Sequence, residues 1–152
     1  MIAPLAAAHV PAAAALARRC LGSHASDAAF AAMAFAAANR YFAALDGAGA
    51  VVGFGGVSVA ADEAEILEIA VDEASRRRGF GRALMEAMLT DAAQRGARTV
   101  YLEVRASGEA ARRLYASLGF CEIGVRRSYY RNPTEDARLM ARAADPSEGV
   151  PV

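Results

Sequence analysis

The residues best suited to chemistry by type and spacing lie just after an apolar run that ends at Val71. There the chain carries the pattern Arg-x-x-Gly-x-Gly at Arg76, Gly79 and Gly81, and an amphipathic segment follows at once. A strand that leads into such a turn makes an anion site, because the first helical N–H groups lack partners and the helix dipole adds positive charge. Glycine also lets the backbone approach a phosphate closely. The pattern is neither a P-loop, since no Gly-Lys-Ser/Thr follows, nor the longer dinucleotide fingerprint.

The composition predicts one globular domain without a surface dedicated to nucleic acid. The chain has 152 residues, of which 55% are hydrophobic and 22% charged, with a formal net charge of zero. Its 17 basic residues are all arginine, which binds phosphate in a fork. Cys20 and Cys121 have no metal-ligand spacing, and no run approaches the ~18 apolar residues of a membrane span. We therefore expect a cytoplasmic protein that requires no metal and has neither membrane nor nucleic acid as a partner.

Hydrophobic periodicity and turn residues predict the elements that must position the anion site. The predicted helices are Pro11–Cys20, Asp27–Ala37, Gly79–Arg95 and Glu109–Leu118. The predicted strands are Arg40–Leu45, Ala50–Val59, Ala64–Val71, Thr99–Val104, Phe120–Arg127 and Ala137–Met140. The strands before and after the third helix must be parallel, because a helix crosses between them. We expect one domain over residues 1–142 and a flexible tail over residues 143–152.

Several stretches between about Ile66 and Ala141 resemble a known superfamily. They are Ile69-Ala70-Val71-Asp72, Arg76-x-x-Gly79-x-Gly81-Arg82-Ala83-Leu84, Leu102-Glu103-Val104-Arg105-Ala106-Ser107, Leu114-Tyr115-x-x-Leu118-Gly119-Phe120, Arg126-Arg127-x-Tyr129-Tyr130 and Glu135-Asp136-Ala137-x-x-Met140. The chain resembles the GCN5-related N-acetyltransferases (GNAT), and within them the RimI-like ribosomal-protein-alanine acetyltransferases. The first sixty residues match only in outline.

The resemblance implies an α/β GNAT fold, with a six- or seven-stranded mixed sheet and about four helices. Its central parallel strands, Ala64–Val71 and Thr99–Val104, would separate at one end and admit acetyl-coenzyme A. The pantetheine would pair with the backbone of Ile69 to Val71, and the pyrophosphate would lie on the N–H groups of Arg77 to Gly81. The coenzyme-binding residues implied in this way are Ile69, Ala70, Val71, Arg76, Arg77, Arg78, Gly79, Phe80, Gly81 and Arg82.

The reaction that the resemblance implies needs a base and an acid. An α-amine has a pKa near 8 and is mostly protonated at neutral pH, so a base must take a proton before the amine attacks the thioester. By resemblance, Glu103 is that base, Tyr115 protonates the leaving thiolate, and a backbone N–H near Val71 stabilises the oxyanion. Glu68 is an alternative base, since it lies in the neighbouring apolar strand.

The acceptor site is where the chain departs from the family. Strand alternation puts Arg105 on the face of Glu103, where it can hold that carboxylate ionised. By resemblance, Tyr129 and Tyr130 border the acceptor, and Arg105 and Glu68 also contribute to its site. The chain lacks the tryptophan that the family places near the end of the first helix, beside the acceptor groove. A second departure concerns the coenzyme: Gly108 replaces an asparagine that usually contacts it.

The expected function is transfer of an acetyl group to a protein N-terminal α-amine, with a small-subunit ribosomal protein as the candidate acceptor. Lysine side chains and small-molecule amines are the alternative acceptors. A non-catalytic module that binds acyl-coenzyme A is the alternative class, and retention of Glu103 and Tyr115 favours the enzyme.

Overall fold

A computed structural model of the protein describes residues 1–145. The strands of the sheet are β1 (Ile2–Pro4), β2 (Asn39–Leu45), β3 (Val51–Ala60), β4 (Glu63–Val71), β5 (Thr99–Arg105), β6 (Cys121–Tyr130) and β7 (Glu135–Ala143). The α-helices are α1 (Val10–Leu21), α2 (Asp27–Ala34), α3 (Phe80–Gln94) and α4 (Glu109–Ser117). The strands lie in the order β1-β2-β3-β4-β5-β7-β6, and only the β4–β5 pairing is parallel in the described part of the chain. The predicted mixed sheet is confirmed with seven strands.

The boundaries differ from the predictions mainly at the two ends of the chain. Sequence reasoning missed β1, a three-residue edge strand, and ended the last two strands too early. Ala143 lies in β7, and the N–H of Ala144 donates a 2.9 Å hydrogen bond to the carbonyl of Arg98. Both alanines are buried, so the domain extends past the predicted boundary at residue 142. The rest of the predicted tail, residues 146–152, lies outside the described residues.

The central parallel strands separate after a short paired segment. The Cα partners between β4 and β5 are Glu63 with Thr99, Ala64 with Val100, and Glu65 with Tyr101. Beyond this point β4 continues along β3 and β5 continues along β7. The register between β3 and β4 shifts at Leu67, which gives β4 an extra residue there. A bulge of this kind bends a strand and re-aims its side chains.

The sheet has a different apolar core on each face. One core joins β-strand residues to α3 and α4, through Met85, Met88 and Tyr115. The other joins them to α1 and α2, through Leu16 and Phe30. We refer to these as the α3/α4 face and the α1/α2 face.

A glycine of β3 makes room for a large side chain on the α1/α2 face. A Cβ at Gly56 would overlap the ring of Tyr41, which lies directly on it. Gly56 therefore allows an aromatic ring to cross β3 toward β4.

Candidate active site

A cleft of about 880 Å³ opens where β4 and β5 separate. Its lining comes from both faces of the sheet: Cys20, Leu21 and Gly22 lie on the α1/α2 side, and Ala111 and Tyr115 lie on α4. The cleft therefore passes through the sheet. A molecule inside it contacts side chains from both faces at once.

Glu68 lines the cleft from β4 and is held by a tyrosine. The hydroxyl of Tyr41 donates a 2.7 Å hydrogen bond to Glu68 Oε2. Burial raises the pKa of the Glu68 carboxyl, while the hydrogen bond from Tyr41 opposes that rise. A carboxyl whose pKa is raised is a stronger base when ionised, so Glu68 has one property that a proton acceptor needs.

Glu103 lines the same cleft from β5, opposite Glu68. As alternation predicts, Leu102 and Val104 point into the core on the other face. The carboxylate of Glu103 forms an ion pair with Arg126 of β6, with 3.6 Å between Nε and Oε1. Its side chain is 20% exposed, which leaves it accessible from the cleft.

Arg105 does not pair with Glu103, and the predicted partnership is wrong. The guanidinium of Arg105 binds Glu135 Oε1 at 3.2 Å and lies 4.4 Å from the centre of the Tyr130 ring. Arg105 shares the face of Glu103 as predicted, but its fork is turned toward the loop between β6 and β7. Arg126 takes the place beside Glu103 instead.

Tyr115 reaches the cleft from the α3/α4 face. It is the buried residue of α4, with 7% of its surface exposed. Its ring packs edge-on against Phe120 at 6.1 Å. Burial, with a smaller contribution from Tyr130, raises the pKa of the Tyr115 hydroxyl to about 12. The hydroxyl therefore keeps its proton at neutral pH and can donate it.

The predicted anion site lies at the N-terminus of α3. Gly79 caps the helix in the left-handed region, with φ of 84°, and a side chain there would meet no atom within 4 Å. The first helical hydrogen bond runs from Ala83 N to Gly79 O. The preceding N–H groups of Phe80, Gly81 and Arg82 have no intrahelical partner and suit a phosphate.

The arginines around this turn have separate surroundings. Arg76 donates from Nε to the carbonyl of Val71 at 3.1 Å. Arg82 donates to Ser117 Oγ at 2.6 Å and so ties α3 to α4. Arg77, with φ of 64°, and Arg78 are exposed, which leaves both guanidinium groups open to solvent and to an anion.

The edge of β4 beside the cleft turns backbone groups toward the opening, and one of them, the carbonyl of Val71, already accepts from Arg76 Nε. Asp72 N donates to Val52 O in β3 at 2.8 Å. Because successive residues of a strand point their N–H groups to opposite sides, Ala70 also faces β3, whereas Ile69 and Val71 face the opening. The side chain of Ala70 packs in the α1/α2 core. Of the three predicted backbone contacts, Ile69 and Val71 fit a bound strand and Ala70 does not.

The structure brings most of the predicted reacting and acceptor residues together. Those that line the cleft are Glu68, Ile69, Glu103, Arg105, Tyr115 and Tyr130. Tyr129 does not line it; the ring is 47% exposed and lies 5.5 Å from the guanidinium of Arg126. The neighbouring Glu103 carboxylate raises the pKa of Tyr129, so Tyr129 stands beside the candidate base on its solvent side.

Sequence reasoning missed Tyr41 as the partner of Glu68, and no local signal pointed to it. The two residues are 27 positions apart on strands that are not adjacent. The missing tryptophan has a structural counterpart: Cys20, Leu21 and Gly22 form that part of the cleft wall. At Gly108, an added Cβ would lie 3.1 Å from the carbonyl of Arg105, so an asparagine there would require a small shift of the turn.

Within residues 1–145, no three His, Cys, Asp or Glu side chains are grouped as a metal site would require. Nor does any helix there have both the length and the apolar character needed to cross a bilayer.

The fold is that of the GNAT class of acetyltransferases. The model of the acetyltransferase (GNAT) family matches residues 11–120, and the chain belongs to that family, whose members use acetyl-coenzyme A. It is 48% identical over 90 residues to the [ribosomal protein bS18]-alanine N-acetyltransferase of Escherichia coli K12, a match that covers 59% of this chain and 60% of that protein. It is 44% identical over 114 residues to the N-alpha-acetyltransferase RimI of Mycobacterium tuberculosis, covering 72% and 70% of the two chains.

A solved structure agrees with the fold over nearly the whole chain. The crystal structure of the ribosomal-protein-S18-alanine N-acetyltransferase from Escherichia coli superposes with a TM-score of 0.84 and 36% identity. The superposition covers 95% of this chain and 94% of that one. The first sixty residues, which matched only in outline by sequence, therefore take up the same fold.

Proposed function

We propose that this protein transfers the acetyl group of acetyl-coenzyme A to the N-terminal α-amine of a protein. The observation that carries the proposal is the cleft through the sheet, which combines carboxylates from one face with a protonated tyrosine from the other. β4 runs on from the cleft residue Ile69 to Val71, and the turn before α3 follows it in the chain. This arrangement suits a long, phosphorylated thioester whose reactive end stops between Glu103 and Tyr115.

The chemistry that these groups support is direct transfer. A carboxylate takes a proton from the ammonium group, and the amine nitrogen then attacks the thioester carbonyl. The N–H of Val71, which faces the opening, donates to the oxygen that becomes negative. The carbon–sulfur bond breaks, and the Tyr115 hydroxyl donates its proton to the departing thiolate. The nitrogen loses its remaining surplus proton, which restores the tyrosine. The products are the acetylated amine and coenzyme A.

We assign the base to Glu103 and keep Glu68 as the alternative. Glu103 forms a 3.6 Å ion pair with Arg126 and keeps 20% of its side chain exposed, so an acceptor amine can reach it from the cleft. Glu68 accepts a hydrogen bond from Tyr41, which occupies one oxygen and turns it toward β2. Glu68 then contributes mainly negative charge, which attracts an ammonium group into the cleft.

The acceptor we propose is the N-terminus of a small-subunit ribosomal protein, with bS18 as the first candidate. The Escherichia coli relative supports this choice by its name and identity, and the name of the Mycobacterium tuberculosis relative supports transfer to an α-amine. Because acetyl-coenzyme A and ribosomal proteins meet in the cytoplasm, we place the reaction there. Lysine and small-molecule amines are the competing acceptors.

Mass spectrometry of a peptide panel tests the proposal. Each peptide is incubated with enzyme and acetyl-coenzyme A, and the panel includes the N-terminus of bS18. The same peptide with a blocked α-amine and an added internal lysine serves as the matched control. We expect acetylation of the free α-amine and none of the blocked peptide. Acetylation of the internal lysine alone would contradict the proposal.

A second measurement separates an enzyme from a binding module. Calorimetry with acetyl-coenzyme A should show binding, and steady-state release of the coenzyme A thiol should depend on the peptide. Binding without peptide-dependent thiol release, for every amine tested, would favour the non-catalytic alternative.

A further inference from the structure

One wall of the cleft is a loop rather than a strand or helix. It consists of residues 131–134 between β6 and β7, which we call the hairpin loop. Asn132 and Pro133 line the cleft, as do Tyr130 just before the loop and Glu135 just after it. A loop lacks the ladder hydrogen bonds of a strand, so its position depends on contacts with other parts of the chain.

Arg105 supplies a cluster of such contacts. Its guanidinium donates to the carbonyls of Arg131 at 3.2 Å and Pro133 at 3.4 Å. It binds Glu135 Oε1 at 3.2 Å and lies over the ring of Tyr130 at 4.4 Å. Four points spread across the loop and its ends are therefore held by one side chain from β5. Only a planar fork with several donors can do this, which excludes lysine as an equivalent.

The contacts continue from the loop toward the reacting groups. Glu135 Oε2 accepts a 2.8 Å hydrogen bond from the N–H of Ser107, just after β5. The ring of Tyr130 packs edge-on against Tyr129 at 5.1 Å, and Tyr129 lies beside Glu103. A change at Arg105 is thus transmitted to the cleft wall without touching either candidate catalytic residue.

We propose that Arg105 is a positioning residue, which fixes the hairpin loop and thereby sets how tightly the acceptor is bound. The inference rests on the proposed function, because the acceptor is the molecule that this wall would contact. The coenzyme has its own site at the N-terminus of α3, and Arg105 makes no contact there. Arg105 therefore affects the acceptor more than the coenzyme.

The decisive variant is Arg105→Met, which keeps an unbranched side chain close in length to the arginine stem and removes every donor. We expect the KM for the acceptor peptide to rise about tenfold, the size of effect that follows from losing a charge-assisted hydrogen bond. The kcat should stay within about twofold, and the Kd for acetyl-coenzyme A should not change. The acceptor KM of Arg105→Lys should lie between those of Arg105→Met and the wild type, because lysine restores the charge without the planar fork.

Arg138→Met is the matched control. Arg138 is 37% exposed, against 39% for Arg105, and it also forms an ion pair on the same hairpin, with Glu122 at 2.8 Å. That pair does not involve the hairpin loop. We expect the acceptor KM of Arg138→Met to match that of the wild type. Equal KM changes in both variants, or a parallel loss of acetyl-coenzyme A binding in Arg105→Met, would overturn the proposal.

Hydrogen exchange provides a readout that needs no acceptor. The amides of the hairpin loop should exchange faster in Arg105→Met than in Arg138→Met, while those of α3 stay unchanged. Unchanged exchange in the loop would overturn the proposal even if activity fell. If the wild type acetylates no peptide, the proposed function fails, and exchange still decides whether Arg105 fixes the loop.

Discussion

Tyr41 and Glu68 are joined across an intervening strand by a 2.7 Å hydrogen bond. Tyr41 in β2 is the register partner of Gly56 in β3, and Gly56 is the partner of Glu68 in β4. The three residues form one row across the sheet, and the absence of a side chain at Gly56 lets the tyrosine reach the carboxylate. This relationship gives the two carboxylates of the cleft different surroundings, with a neutral donor at Glu68 and a cation at Glu103.

The two carboxylates should therefore respond differently to removal of their charge. Glu103→Gln should lower turnover by about 10²-fold at neutral pH, the usual contribution of a general base. The loss should shrink at high pH, where the amine loses its proton unaided. Glu68→Gln should show a smaller loss. Turnover measured against pH for both variants checks this prediction. If only Glu68→Gln loses turnover at neutral pH, Glu68 is the principal base and Glu103 is not.

Tyr115→Phe should lower kcat by about 10²-fold, because the ring still packs while the proton donor is lost. Since the pKa of Tyr115 is raised to about 12, the hydroxyl stays protonated up to about pH 10. The ratio of wild-type kcat to Tyr115→Phe kcat should therefore stay constant between neutral pH and about pH 10. A deficit that appears only at high pH, or a change in acetyl-coenzyme A affinity, would contradict the role.

Gly79→Asp should weaken acetyl-coenzyme A binding by at least about tenfold, because it adds a negative charge beside the proposed pyrophosphate. Gly79→Asn has nearly the same shape and backbone strain as Gly79→Asp but no charge, so its affinity for acetyl-coenzyme A should fall much less. Gly96→Asp is the control at the other end of α3, where φ is 91° and the site is equally open. Calorimetry measures the affinity of all three variants for acetyl-coenzyme A. Equal affinities for Gly79→Asp and Gly96→Asp would refute a phosphate site at Gly79.

Glu135 should make the stability of the protein depend on acidic pH. Its hydrogen bond with Ser107 and its pairing with Arg105 hold the pKa of the Glu135 carboxyl below its usual 4.5. A lowered folded pKa stabilises the protein above the unfolded pKa, and this contribution is lost as pH falls through the folded pKa. The Tm difference between wild type and Glu135→Gln should be largest near pH 6 and shrink toward about pH 3. A difference that is independent of pH would show that the charge of Glu135 is not involved.

Gly56→Ala should destabilise the fold by about 1–3 kcal/mol, as overpacking of a core does. The added methyl overlaps the Tyr41 ring, which is itself fixed between Phe30 and Phe54. Gly47→Ala is the control, since a side chain there meets no atom within 4 Å. Denaturant unfolding measures both changes. An equal stability for the two variants would mean that the ring can move aside.

The regular parts of the chain were predictable because each is decided by nearby residues. Strand alternation placed Glu103 correctly since β5 pairs with β7 without a register shift. It could not foresee the shift at Leu67, because a bulge depends on both strands of a pair. The edge strand Ile2–Pro4 is too short to show a period.

Partners that come from distant segments were not predictable in this way. Arg105 binds Glu135, which is 30 positions away, and local alternation suggested Glu103 instead. Composition and spacing found the turn at Gly79 because all of its features are adjacent in the chain. Composition and spacing could not predict the cleft wall, because residues 20–22 and the hairpin loop meet only in the folded molecule.

The brief pairing of β4 with β5 has a mechanical meaning. The sheet is continuous across its centre through three residue pairs alone, so a four-stranded half and a three-stranded half meet at a narrow seam. An extended arm bearing amides, inserted along the free edge of β4, would act as an eighth strand and lengthen that seam. The co-substrate would then be part of the scaffold, and its cellular concentration would set how firmly the two halves are bound together.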